Sequence, residues 1–262
     1  MTTTAYDCDL RIISSDTRWS ADLDLMDGKH ILHVDDTGFN KITYRLGGAI
    51  ICAGDGLTIE KLKKWWVAEP FEPENLPDLQ SNGRFTVSVM VVSAEGERLF
   101  DAGPKHVLYN PETEHMHAIF SGSGGSVAGG AFAQCGCVRS SVEFAKTLDA
   151  KSGGEVKYYE LSTGSNNLDD ENMDYNSIME SMKERGMLMK FTGVYAANSE
   201  NVTTIPLREH PQAEDILSAL KSGSIQAYAP MGGAVVEWTD DRVNKLKGAA
   251  RKIAQLEESM KK

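Results

Sequence analysis

The stretch TTTAYDCDLRIISSDTR, residues 2–18, decides how this chain folds. Thr2, Thr3 and Thr4 open it, and threonine suits a pleated, half-buried surface. The run around Asp7, Cys8 and Asp9 breaks it, and a second apolar segment leads into Ser14, Ser15 and Asp16. The pattern predicts two short strands joined by a turn. The second strand then returns toward the N-terminus and carries Asp16 back to Thr2. A hydroxyl next to the first peptide bond, with a carboxylate beneath it, is an arrangement with chemical consequences.

Composition narrows what those consequences are. The chain has 262 residues, 41% of them hydrophobic and 25% charged, the balance of a globular protein with a full core. Its net charge of -11 repels phosphates, which argues against nucleic acid and anionic membrane surfaces as partners. No run approaches the apolar length of a membrane-spanning helix. The N-terminus lacks the basic and apolar segments of a secretory signal, so a cytoplasmic location is expected. Four cysteines, Cys8, Cys52, Cys135 and Cys137, are too few for a disulfide scaffold in a chain this long. Cys135 and Cys137 lack the second pair that zinc requires. His115 and His117 share one face of a strand with no third ligand in view. Neither a metal nor a cofactor is expected.

Outward from the opening hairpin, the segment at 29–36 reads as a strand and 41–56 as one or two more, the second nearly continuously apolar and so buried. Residues 55–66 switch to helical period, with Leu57, Leu62, Trp65 and Trp66 on one side and Asp55 as the cap. A Pro-rich connection follows over 67–83. Segments 85–93, 97–102, 105–110 and 115–123 read as a meander of four strands. Residues 124–152, rich in small residues, predict a pair of helices, and 155–161 a strand. This order, strands, helix, strands, helices, strand, predicts an α+β layered fold. The polar run STGSNNLDDENMD (162–174) marks a boundary. It divides the chain into 2–161 and a C-terminal α/β extension over 162–262, with helices expected over 175–189, 213–221 and 239–262 and strands over 191–196, 202–207 and 233–238. The last helix carries Val243, Leu246, Ala250, Ile253 and Leu256 on one side, a stripe that needs covering.

Thr2 becomes a nucleophile if Met1 is removed. The freed α-amine has an ordinary pKa of about 7.7–8.0 and takes the hydroxyl proton near neutrality. Asp16 and Lys41 supply charge beneath it. Gly54 and Gly56 offer backbone N–H groups at a strand-to-helix turn, the right kind of place for an oxyanion hole. Ser123 lies in a glycine-rich turn. Asp149 and Ser152 stand three residues apart where a helix meets a strand. Each of these residues also reads as an ordinary cap or turn.

Taken in order, TTTAYD at the start, SDTR (15–18), NKI (40–42), CAGDG (52–56), GSGG (122–125) followed by AGGAF (128–132), and DAKSGGEV (149–156) resemble the proteasome β-type subunits, including the proteolytic subunit of the bacterial ATP-dependent ring protease. The resemblance covers 2–161. It implies the four-layer αββα sandwich of the N-terminal-nucleophile (Ntn) hydrolases and a threonine peptidase. Thr2 is then the nucleophile, and Asp16 and Lys41 the charge pair. The Gly54 amide lines the oxyanion hole, and Ser123, Asp149 and Ser152 orient the N-terminal amine. A peptide or protein substrate, a homo-oligomer and an ATPase partner follow from the same resemblance. The long interval from Asp16 to Lys41, the compact helices and the C-terminal third depart from the family pattern. Two other readings stand beside the peptidase: a catalytically silent, proteasome-like subunit of a larger assembly such as a viral particle, in which Met1 is kept, and a non-proteolytic amidase.

Overall fold

The computed structural model describes residues 2–79, 87–190, 203–231 and 236–261. The opening hairpin forms as its pattern predicts. β1 (Thr3–Asp7) and β2 (Ile12–Ser15) are antiparallel, with Thr4 opposite Ser15. Asp7 makes the turn, its carboxylate accepting the N–H groups of Asp9 and Leu10. β3 (Trp19–Leu25) and β4 (Gly28–Val34) follow, then β5 (Ile42–Arg45) and β6 (Gly48–Asp55). Helix α1 (Gly56–Trp66) starts at Asp55, whose carboxylate accepts the Thr58 N–H, and buries Leu62, Trp65 and Trp66, whereas Leu57 faces solvent.

The four strands expected as one meander are β7 (Val87–Ser93), β8 (Arg98–Ala102), β9 (Lys105–Tyr109) and β10 (Met116–Gly122). They divide between two sheets. β7 and β8 pair with each other beside β6, whereas β9 and β10 join β1. The chain crosses over at Gly103, where φ is +134° and an added Cβ would lie 2.4 Å from the Ser88 hydroxyl. Helices α2 (Gly125–Cys135) and α3 (Val138–Leu148) and strand β11 (Lys157–Glu160) complete the first part.

The C-terminal residues add α4 (Asn176–Arg185), β12 (Met187–Lys190), β13 (Thr204–Pro206), α5 (Ala213–Ser222), β14 (Tyr228–Ala229) and α6 (Asp240–Met260). The helix expected over 175–189 stops at Gly186, and the chain turns there into β12. The expected strand at 191–196 lies outside the described residues, as do residues 233–235 of the one at 233–238; Val236 to Trp238 form no strand.

One sheet runs β11-β2-β1-β10-β9. The other runs β13-β12-β4-β3-β14-β6-β7-β8, with β5 also on β6. Three of the strands in the second sheet therefore come from beyond residue 162. Three apolar clusters hold the structure together. Ala5, Phe120 and Ala118 of the first sheet pack on Phe132 and Ala128 of α2 and Val142 of α3. Tyr6, Ile13 and Ile119 meet Ile42, Ile51 and Val92 between the sheets. The far face of the second sheet packs on α1, α4, α5 and α6 through residues such as Trp66, Met182, Ile216 and Leu246. The chain is thus mixed α/β, with antiparallel sheets and helices packed on them. Among the described residues no helix is long and apolar enough to cross a membrane.

The stripe on α6 is covered from within the chain. Leu246, Ala250 and Ile253 are fully buried and Val243 packs at the edge of the same cluster, whereas Leu256 is only half-buried. Burying a leucine or isoleucine contributes roughly 1.5–3 kcal/mol. Glu257 then pins the helix to the β5–β6 turn. Its two oxygens take Arg45 Nε and Nη2 at 2.5 and 2.7 Å, and the Gly47 N–H donates at 3.3 Å.

Candidate active site

Thr2 lies immediately before β1 and is fully buried. The β1–β2 pairing carries Asp16, just past the end of β2, back beside it. The Thr2 hydroxyl donates to Asp16 Oδ1 at 2.5 Å, and the Thr3 N–H donates to the same oxygen at 2.9 Å. Lys41, at the head of β5, donates its ammonium to Asp16 Oδ1 at 2.8 Å. The other carboxylate oxygen takes the N–H groups of Gly153 at 3.1 Å and Arg18 at 3.2 Å. Five donors therefore converge on one buried carboxylate, which keeps its charge off any single contact.

Lys41 is equally committed. Besides Asp16 Oδ1, it donates to the carbonyls of Asp16 and Arg18, each at 3.0 Å, which uses all three ammonium protons. Its side chain is completely buried. Burial pushes the ammonium below the usual lysine range, against the opposing pull of Asp16. Lys41 and the Thr2 hydroxyl donate to the same Asp16 oxygen, so the cation lies across that oxygen from the hydroxyl and lowers the cost of negative charge developing there.

The second predicted set also assembles. The Ser123 hydroxyl donates to Asp149 Oδ2 at 2.9 Å, and the Ser152 hydroxyl donates to the same oxygen at 2.7 Å. Ser152 Oγ then lies 2.8 Å from Thr3 Oγ1. With its own proton spent on Asp149, Ser152 accepts from Thr3. The set therefore reaches the N-terminal strand through Thr3, a residue the sequence did not single out from its neighbours.

Two glycines let these groups approach. Gly122 faces Thr3 across the β1–β10 ladder with φ +82°, and an added Cβ would sit 1.8 Å from the Thr2 carbonyl oxygen. At Gly124 a Cβ would lie 2.0 Å from Thr3 Oγ1. Only a residue without a side chain fits either place.

Nor does the sequence assign a role to Arg18. Its guanidinium forks onto Asp35, Nε to Oδ1 and Nη2 to Oδ2, both at 2.8 Å, while Nη1 donates to the Ala150 carbonyl at 2.8 Å. An added Cβ at Gly153 would strike that guanidinium at 2.3 Å. Arg18 thus ties the 150–153 loop to the start of β3 and aims the Gly153 N–H at Asp16.

Gly54 lies inside β6 with φ +123°, opposite Val87 on one side and Ala229 on the other. Among the described residues it shares no hydrogen bond with Thr2, Asp16 or Lys41.

One further group, Asp27, His30 and His210, brings three potential metal ligands together. Its hydrogen bonds do not suit a metal. The Gln212 N–H donates to His210 Nδ1 at 3.2 Å, which leaves the ring proton on Nε2, facing Asp27 Oδ1 at 3.7 Å. The Lys190 ammonium lies 3.0 Å from Asp27 Oδ2 and holds that carboxyl below its ordinary range. The group ties the β3–β4 turn to the segment before α5.

No protein-family model, curated protein or solved structure matches this chain.

Proposed function

We propose that this chain is a threonine-type N-terminal-nucleophile hydrolase that cleaves amide bonds in peptides once the Met1–Thr2 bond has been cut. The observation that carries the reading is the Asp16 carboxylate, one oxygen of which takes both the Lys41 ammonium and the hydroxyl of Thr2, the residue just before the first strand. Two antiparallel sheets packed on each other, with helices against both outer faces, support the αββα sandwich of the Ntn hydrolases as the finer description of the fold.

In this reading the freed α-amine takes the Thr2 hydroxyl proton, and Oγ1 attacks the substrate carbonyl carbon. An ester forms at Thr2, the amide C–N bond breaks, and the amine's proton leaves with the new amino terminus. Water then hydrolyses the ester and restores the hydroxyl. Lys41 stabilises the attacking oxygen, Asp16 holds Lys41 in place, and Ser123, Asp149 and Ser152 fix the strand through Thr3. The reading calls for no metal or cofactor. Family resemblance adds a homo-oligomer and an ATPase partner. Light scattering tests the former against a monomer mass of 28.7 kDa.

A second reading, a silent proteasome-like subunit, is favoured by one observation: a strand from the C-terminal part stands opposite Gly54, where an oxyanion donor is expected. Intact mass and turnover separate the two. The hydrolase reading expects a chain that has lost one methionine and cleaves a fluorogenic peptide amide, with cleavage abolished in Thr2→Ala. A chain that keeps Met1 and cleaves nothing favours the silent subunit.

A further inference from the structure

Among the described residues, strand β14, only Tyr228 and Ala229, is all that joins β3 to β6. Tyr228 faces Ser20 on one side and Asp55 on the other, and Ala229 faces Gly54. Neighbouring strands lie about 4.8 Å apart. Without β14, two sheet edges would therefore face each other across the width of one extended chain, with their N–H and C=O groups unpaired. Pro230 follows at once and ends the strand, since it has no N–H to donate. The fit is also imperfect. The Ser20 hydroxyl is fully buried opposite Tyr228 and has no hydrogen-bond partner among the described residues.

The slot adjoins the Thr2 cluster. Its β3 edge begins at Trp19, next to Arg18, whose carbonyl accepts from Lys41. The loop that supplies Ser152 and Gly153 also latches β14. Lys151 donates to the Tyr228 hydroxyl at 3.2 Å and pairs with Asp22 at 2.5 Å, and the Tyr228 hydroxyl donates to Asp22. Burial, reinforced by Asp22, drives the Tyr228 phenol well above its ordinary range, so the latch stays protonated.

We propose that Tyr228–Ala229 is an occluding strand. It fills, in cis, the slot that an extended peptide main chain would use beside Thr2, so a peptide must displace this segment to bind, and cleavage by the full chain is slowed rather than abolished. The inference rests on the proposed function for the identity of the site, but its test reads binding and does not need Thr2 to react. A fluorescein-labelled peptide of sequence SIQAYAPM, residues 224–231, is titrated with the full chain and followed by fluorescence anisotropy. The titration is repeated with Tyr228→Phe, which removes the latch hydroxyl, and with Ala229→Pro, which removes a strand N–H. Circular dichroism verifies that each variant is folded, and all are made in the Thr2→Ala background.

Tyr228→Phe is expected to bind the peptide about tenfold more tightly than the unsubstituted strand allows, the effect of losing hydrogen bonds to a charged partner. Hydrogen exchange should then place the bound peptide by renewed protection of Trp19–Leu25 and Gly48–Asp55. Equal affinity for every folded variant, or binding that leaves both edges unprotected, overturns the proposal. Peptide binding to Tyr228→Phe, with no β-lactone adduct on the otherwise identical chain that keeps Thr2, overturns the hydrolase reading and leaves the occlusion standing.

Discussion

Lys41 and Asp16 form an ion pair of 2.8 Å in which neither side chain touches solvent. Such a pair contributes little net stability, because desolvation offsets attraction, but removing one partner leaves a bare buried charge at a cost of about 3–5 kcal/mol. Lys41→Ala is therefore expected to lower the stability of the chain by about that amount as well as its activity. Asp16→Asn combined with Lys41→Ala should cost less than the two singles added together. Urea denaturation of the four proteins measures the coupling, and strict additivity would show that the pair acts as two independent groups.

Gly122 and Gly130 should respond in opposite directions to the same substitution. At Gly122, alanine would need φ +82° and would strike the Thr2 carbonyl. Gly122→Ala should destabilise by more than about 1 kcal/mol and displace Thr2. Gly130 is an exposed position inside α2 with nothing within 4 Å of an added Cβ. Gly130→Ala should stabilise by about 0.5–1 kcal/mol. Thermal melts of both variants provide the comparison.

Burial, helped by the nearby Arg18 charge, pushes the His33 imidazole down to about 4. The unfolded chain accepts that proton near 6.5, whereas the folded chain resists it. Stability from this residue is therefore full above about pH 6.5 and falls as the pH drops toward 4, by about 3 kcal/mol at about 1.4 kcal/mol per unit. His33→Leu should flatten the curve in that window. Chemical denaturation at intervals between pH 7.5 and 4 measures the slope, and an unchanged slope in the variant would remove His33 as its source.

Arg45 and Glu257 hold α6 to the β5–β6 turn with both side chains buried. Glu257→Ala is expected to cost about 3–5 kcal/mol, because Arg45 loses its two-pronged buried carboxylate and keeps, of its carboxylate partners, only the exposed Glu69 at 3.3 Å. The exposed Asp241–Lys245 pair on the same helix should contribute no more than about 0.5 kcal/mol when broken by Asp241→Ala. The ratio of the two losses, read from denaturation midpoints, tests whether α6 is anchored at its C-terminal end.

What the sequence makes legible here is local. The β1–β2 hairpin follows from a polar break between two apolar runs, and the start of α1 from Asp55 three residues before Thr58. Asp16, Lys41, Ser123, Asp149 and Ser152 are legible through the resemblance of their short motifs, since taken singly each suits an ordinary cap or turn, and hydrogen bonds to Thr2 and Thr3 then gather them. β3 is masked in the sequence because Asp22 and Asp24 interrupt an otherwise apolar run, although their alternation with Ala21 and Leu23 is itself a strand signal. Thr3 could not be told from Thr2 or Thr4 without knowing which face of β1 meets Ser152. Arg18 matters only because a loop 132 residues further along the chain closes over it. β14 was beyond reach, since two residues carry no period and their pairing is set by partners at positions 20 and 54–55.

The central claim is that Thr2 is a nucleophile, and a small β-lactone tests it most directly because it needs no peptide slot. After exposure of the full chain, tandem mass spectrometry should locate one acyl group on Thr2 of a chain lacking Met1, and Thr2→Ala should carry none. An adduct that persists in Thr2→Ala, or a chain without Met1 that remains unmodified, would contradict the account.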